Sequence, residues 1–393
     1  AASDVYKRQS YYFKTLCLAF GWQIPLSNVA VALIVTIGFI IANVFGVRLT
    51  GRLQNGFMFF FWGVAAIWFL TMIPNIELPN FVKSPEFIAK DKDFTFIGAV
   101  CMIWWCFAGF EACVAMGEEI RFPKINIPRA MFLAPFVVFC VNALFQWYLI
   151  GITPVEKLAS LATAEAPYAE AMKAAGILGF PLALLAAGIA FGGDFSTLNA
   201  SISTTPRYLF TMARDGAMPK IFAKVSRRYQ TPYVAVITLG VLTVALIATN
   251  SLLYIAELSL FADLFYYVLG ILAALGLRKN HPELKRSYKA PLIMIGAPIS
   301  ALIYLYMMTE LSNEAFYTGV IWCLLGIAIY WCCSKYYGSG TSFKLDEKES
   351  GVDETPSPEE KRAMDREYHV WWFIVGALSI IATLLYLVPY LAR

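Results

Sequence analysis

Four carboxylates interrupt otherwise apolar stretches of this chain: Glu111, Asp194, Glu257 and Asp263. A charged side chain at the centre of a bilayer costs about 2.5–3.5 kcal/mol on insertion scales. Acids in such places face a cavity, an ion path or a partner. Glu111 lies in "MIWWCFAGFEACVAMGEE", where Gly109 weakens the helix and permits an unwound turn. Trp104, Trp105, Phe107 and Phe110 surround that weak point with aromatic surface suited to an apolar or cationic ligand. A helix broken at mid-membrane frees amides and carbonyls for a small zwitterion, and the helix-end dipoles add to the pull. The competing reading is an ordinary aromatic-rich membrane helix.

Asp194 lies in "GGDFSTLNASISTTP", with Ser196, Thr197, Asn199 and Ser201 close behind it. Oxygen donors at that spacing suit a hard cation such as Na+, and the carboxylate can equally carry H+. Against this stands the habit of Ser and Thr in membrane helices of bonding their own i−4 carbonyls. Glu257 follows the short loop "NSLL" and reads as interfacial.

Several chemistries are excluded. The only histidines, His281 and His369, sit in polar segments, so no apolar run holds a His to act as base or metal ligand. A membrane-embedded acyltransferase or protease is thereby disfavoured, and neither a catalytic residue nor a metal site is assigned. The eight cysteines lie mostly in apolar runs without metal-ligand spacing, and read as small packing residues. No basic face with interleaved aromatics is present, so no nucleic-acid partner is expected. No cofactor is expected beyond a coupling ion.

The elements that must position these residues follow from composition. The chain is 59% hydrophobic and 15% charged, whereas soluble domains carry about 25% charged residues. Runs long enough to cross about 30 Å of hydrocarbon recur near Leu26–Val47, Gly56–Pro74, Phe94–Met116, Ala130–Pro154 and Ile177–Thr205. Others lie near Tyr233–Thr249, Leu252–Leu277, Ala290–Thr309, Ala315–Ser334 and Val370–Leu391. Lipid offers no partner for open backbone groups, so these ten runs are predicted to be helices. The expectation is an all-α, polytopic protein whose first partner is the lipid bilayer. Its oligomeric state is not encoded in these features.

Lys and Arg concentrate in alternate loops: Arg48 and Arg52; Arg121, Lys124 and Arg129; Arg207 to Arg228; Arg278 to Lys289; Lys335 to Arg366. The intervening loops hold only Lys83, Lys90, Lys92, Lys157 and Lys173, with Arg393 at the end. The positive-inside rule places the first set in the cytoplasm of a multi-pass cell-membrane protein. Residues 335–369 are charged and contain Ser and Pro, which reads as a cytoplasmic linker before a last helix at 370–391. Residues 1–9, "AASDVYKRQ", lack a signal-peptide layout and join abruptly to an apolar stretch at Ser10. They read as a non-native beginning, which leaves 10–334 as the membrane domain.

"GFEACVAMGEEIRFPKINIPRA" resembles the cytoplasmic exit of the sixth helix in the amino acid–polyamine–organocation permeases. "TTPRYLFTMARDGAMPKIFAKVSRRYQTPYVAV" is similar to the same superfamily's eighth helix, connector and ninth helix. "LRKNHPELKRSYKAP" resembles its loop after the tenth helix, and "NVFGVRLTGRLQN" its turn between the fourth and fifth. The four stand in the superfamily's order across Asn43–Pro291.

The resemblance implies an inverted-repeat transporter fold of two five-helix repeats, with solute bound between broken helices one and six. On that alignment Trp105, Phe107, Ala108 and Gly109 are substrate-binding positions. Glu111 links the solute to conformational change. Apart from the resemblance, the oxygen donors Asp194, Ser196, Thr197 and Ser201 are assigned to gating or coupling from their own residue types. Glu118, Glu119, Pro123 and Pro128 end the helix at the cytoplasmic face. The implied activity is secondary transport of an amino acid or related amine by alternating access. A non-transporting sensor or accessory subunit on the same scaffold is the alternative.

The chain departs from the pattern in three ways. Leu26–Val47 aligns with the fourth helix, so helices one, two and most of three, and half of the solute site, are expected upstream. The lysine that many proton-coupled relatives carry after "R-x-Q-N" is replaced near Phe61. Val370–Leu391 is a helix beyond the usual twelve.

Overall fold

The computed structural model describes residues 2–82, 96–117, 120–161, 164, 166–248, 252–283, 286, 289–337 and 355–391. Glu118, Glu119, the start of the third apolar run and linker residues 338–354 lie outside the described residues. Among the described residues all regular structure is helical. The helices are α1 (Ala2–Ala19), α2 (Asn28–Val44), α3 (Val47–Met72), α4 (Phe96–Trp105) and α5 (Pro123–Ile152). They continue with α6 (Phe180–Arg214), α7 (Tyr233–Ala248), α8 (Leu252–Asn280), α9 (Ile293–Met308), α10 (Asn313–Tyr337) and α11 (Pro358–Leu391).

Each of the ten apolar runs holds a helix, and α1 adds one where none was expected. Among the described residues, six helices are long and apolar enough to cross a membrane, on α3, α5, α6, α8, α10 and α11, while α2, α7 and α9 are shorter apolar helices. The chain is therefore a polytopic, all-α membrane protein. The third apolar run is not one helix, because α4 stops at Trp105. The last helix begins at Pro358, well before the expected start at Val370.

The chain divides into two compact units. One comprises Ala1–Asp91, Phe139–Ser251 and Ile374–Arg393. Its core is an aromatic stack in which Trp68, 1% exposed, lies parallel to Phe145 with centroids 5.4 Å apart, and Phe69 stacks on Tyr148 at 4.9 Å. Beside it α3 and α6 approach closely, because α6 presents glycine at two positions four apart. A Cβ on Gly192 would fall 2.3 Å from Cβ and 2.8 Å from Cα of Phe61, and one on Gly188 would fall 3.0 Å from Val64. The helix is wound as a π-helix over this stretch, Gly188–Phe195. On another side of the unit Tyr11 donates to Glu170, and Lys173 donates to both. These bonds tie the short helix Pro167–Ala174 to α1.

The other unit comprises Lys92–Val138 and Leu252–Phe373. Cys101 of α4, Phe261 and Leu264 of α8, and Met307 and Met308 of α9 form its core. The ring of Phe261 lies so close on Gly319 of α10 that an added Cβ would come within 2.2 Å of it.

Candidate functional site

The local sequence explains why α4 stops. After Trp105 the backbone tightens to i−3 bonds, from Phe107 N to Trp104 O (2.8 Å) and from Ala108 N to Trp105 O (3.2 Å). Gly109 then turns through φ +103°, a conformation L side chains rarely adopt. A single helical turn, Ala112–Ala115, follows. Glu111 sits between the two pieces and spans the break with its own carboxylate. Its Oε2 accepts from the Gly109 amide at 3.0 Å and from the hydroxyl of Tyr267 at 2.5 Å. Tyr267 comes from α8, so the broken segment is fastened to a continuous helix.

Aromatic rings surround this bond. Trp104 meets Tyr267 edge-on (5.4 Å, 87°) and Tyr304 of α9 at 5.6 Å, and Phe110 lies parallel to Tyr267 at 6.5 Å. Asp263 lies on the same helix, one turn before Tyr267. Trp105, Phe107 and Ala108 are half-buried beside the break, and Gly109 is exposed. The tryptophan that packs into the tyrosines is thus Trp104, not Trp105. A carboxylate and a tyrosine hydroxyl oxygen in an aromatic setting are able to accept from an ammonium, while an amide at a helix break is able to donate to a carboxylate once its own bond exchanges.

Asp194 belongs to the other unit. It is buried within the π-helical stretch, 8% exposed. The hydroxyl of Ser196 donates to Gly192 O (2.5 Å) and Gly193 O (3.0 Å), and that of Thr197 to Gly193 O (2.8 Å). Both follow the i−4 habit of membrane helices, and the lone pairs remaining on each oxygen are still acceptors. Ser201 is half-buried farther along the helix. Phe61 packs on Gly192 within this stretch.

Asn199 has a separate role. It is 1% exposed, donates to Thr50 O (3.0 Å) and Gln54 Oε1 (3.1 Å), and accepts from Asn43 at 3.5 Å. It braces α2, α3 and α6 together. Thr231, from the "QTPY" connector, donates to Val44 O at 3.0 Å near the same turn. Glu257 accepts from the hydroxyl of Ser312, a partner that accounts for its place near a helix start. Sequence reasoning did not single out Tyr267, Tyr304, Thr50 or Gln54. The tyrosine pair in "ADLFYY", one turn after Asp263, was the available signal for the first.

The sequence profile of the amino acid permease family matches residues 9–331. A methylthioribose transporter of Bacillus subtilis (strain 168) is 25% identical over 351 residues, 85% of this chain and 73% of that protein. A branched-chain amino acid permease of the same organism is 26% identical over 237 residues, covering 60% of this chain and 50% of the relative. Its serine/threonine exchanger is 24% identical over 289 residues, covering 72% and 63%. The chain spans only about half to two thirds of the last two relatives.

Proposed function

The chain belongs to the amino acid permease family, and from that premise we propose that the protein is a secondary transporter of an amino acid or related amine. The observation that carries this reading is the Glu111 bridge between the Gly109 amide and Tyr267. It places an anionic group at a helix break, bonded to an amide that is released when a solute ammonium takes its place, so that both ends of a zwitterion then find complementary partners. Glu111 favours an ammonium-bearing solute over a neutral one such as methylthioribose. The aromatic faces of Trp104, Trp105 and Phe107 suit a medium-sized apolar side chain.

Alternating access needs no covalent chemistry; it needs solute and ion to bind differently in the outward and inward states. In this reading solute ammonium displaces the Tyr267 hydroxyl from Glu111, which unfastens the broken segment from α8 and lets it move. Coupling to H+ or Na+ is assigned to Glu111 and to the group of Asp194, Ser196, Thr197 and Ser201. The inverted-repeat arrangement, the cell-membrane location and a cytoplasmic position for the basic loops are parts of the same proposal, supported by the motif order and the Lys/Arg asymmetry.

The test is uptake by the full-length protein in proteoliposomes, with labelled L-leucine and L-serine, a competitor panel including methylthioribose, and imposed Na+ or pH gradients. Saturable uptake of an amino acid that amines compete for is expected. Failure of every amino acid and amine, or selective uptake of methylthioribose alone, would contradict the proposal.

A further inference from the structure

The segment that follows the broken stretch is held by α11. Arg121 Nη2 pairs with Glu360 Oε1 at 2.6 Å, and Arg129 Nη2 pairs with Asp365. The Arg129 guanidinium also lies over the ring of Tyr368, 4.9 Å from its centroid. Arg129 is the more sheltered of the two cations, with a side chain 25% exposed against 69% for Arg121. Farther along the same two helices, Trp147 Nε1 donates to Leu385 O (3.0 Å) and the hydroxyl of Tyr386 donates to Ala143 O (2.9 Å). Cys140 Sγ meets Ser379 Oγ at 3.2 Å. Helix α11 is therefore bonded to α5 at both of its ends, and is not a loose tail.

We infer that Glu360 and Asp365 are positioning residues for transport, which act through Arg121 and Arg129 to hold the segment after Glu111 and so set the rate of the transport cycle. The inference rests on the transport reading above. Two states that interconvert during turnover must lie close in free energy, so a pair made in one and broken in the other shifts their ratio by its full worth. Exposed pairs of this kind change an equilibrium by about two- to fivefold each. That is small for folding and large for a cycle. Neither carboxylate touches the solute site, so solute affinity is expected to stay put while turnover moves.

The experiment uses the full-length protein with Glu360→Gln, Asp365→Asn, and the exchanged pair Arg129→Asp with Asp365→Arg. Backbone hydrogen exchange over residues 121–129 and L-leucine uptake in proteoliposomes are both measured. Asp365→Asn is expected to speed exchange in that segment, and to change Vmax, about two- to fivefold. KM for L-leucine is expected to hold within about twofold, and the exchanged pair to restore most of the loss. Near 1 M salt, where the Debye length is about 3 Å, wild type should approach the Asp365→Asn variant. Should the exchanged pair not fold, the neutral variants and the salt series decide. Wild-type exchange and Vmax in both neutral variants would overturn the inference while leaving transport intact. Absence of uptake of every amino acid and amine of the panel by wild type, with exchange over 121–129 still quickened by Asp365→Asn, would instead remove the transport reading and with it the claim on rate.

Discussion

Glu111 is held by two hydrogen bonds to a charged acceptor, and bonds of that kind are worth about 1.5–3 kcal/mol each. Glu111→Gln keeps the shape and removes the charge, so the protein is expected to reach the membrane in normal amount. Its uptake should fall about tenfold or more, measured as initial rate against surface-accessible protein. Tyr267→Phe removes the hydroxyl that fastens the broken segment, and the same assay should show a changed Vmax with the aromatic packing kept. Trp104→Ala strips the ring that meets Tyr267 and Tyr304. It should weaken solute affinity more than Trp105→Ala does; equal effects would mean that the ring cluster is packing alone. The break at Gly109 was legible in the sequence, because a glycine among bulky aromatics beside an acid is an unstable helix interior. The choice between Trp104 and Trp105 was not. Neighbouring residues on a helix point about 100° apart, and only the position of α8 and α9 decides which one meets the tyrosines. Tyr267 was hidden for a similar reason, since a tyrosine in an apolar run looks like an interfacial anchor until its partner is known.

At the scale of elements, the α3–α6 contact depends on the absence of a side chain at Gly192. Gly192→Ala would place a methyl group inside the backbone radius of Phe61, and overpacking of this kind costs about 1–3 kcal/mol. A lower unfolding temperature in detergent is the expected outcome, with Gly193→Ala as the control, since its added Cβ meets only Ile189 at 4.0 Å. The early start of α11 has an equally local cause. Ser357 accepts from the Glu360 amide (3.2 Å), and Glu360 accepts from the Ser357 amide (3.0 Å), a capping box with Pro358 in the first turn. Composition read this stretch as linker because it is charged, although the S-x-x-E spacing was there to be seen. Hydrogen bonds from Ser357, and then Arg121, hold the Glu360 carboxyl below its ordinary range, and the Arg129 bond does the same for Asp365. A lowered carboxylate contributes fully above its ordinary pKa of about 4 and is lost as pH falls through the lowered value. The α11 pairs therefore stay charged from pH 5 to 8. The ratio of wild-type to Asp365→Asn turnover should stay flat across that window; a ratio that collapses within it would show that some other group governs the contact.

For the whole molecule, hydropathy alone located ten of the helices, since lipid allows long apolar runs few alternatives to a helix. It overstated their uniformity: among the described residues six are long enough to span, three are shorter, and one is broken at the candidate site. The family profile and the structure make this a polytopic member of the amino acid permeases, and in the proposed cycle the Glu111 bridge is opened by solute. Counterflow reads the opening of this bridge. Proteoliposomes holding the full-length protein are loaded with unlabelled L-leucine, or left empty, and external labelled L-leucine is followed in wild type and Glu111→Gln. Wild type is expected to show uptake that is stimulated several-fold by internal solute, and Glu111→Gln to lose most of that stimulation while remaining folded. Full stimulated exchange by Glu111→Gln, with unchanged KM, would mean that the Glu111 bridge is not opened by solute.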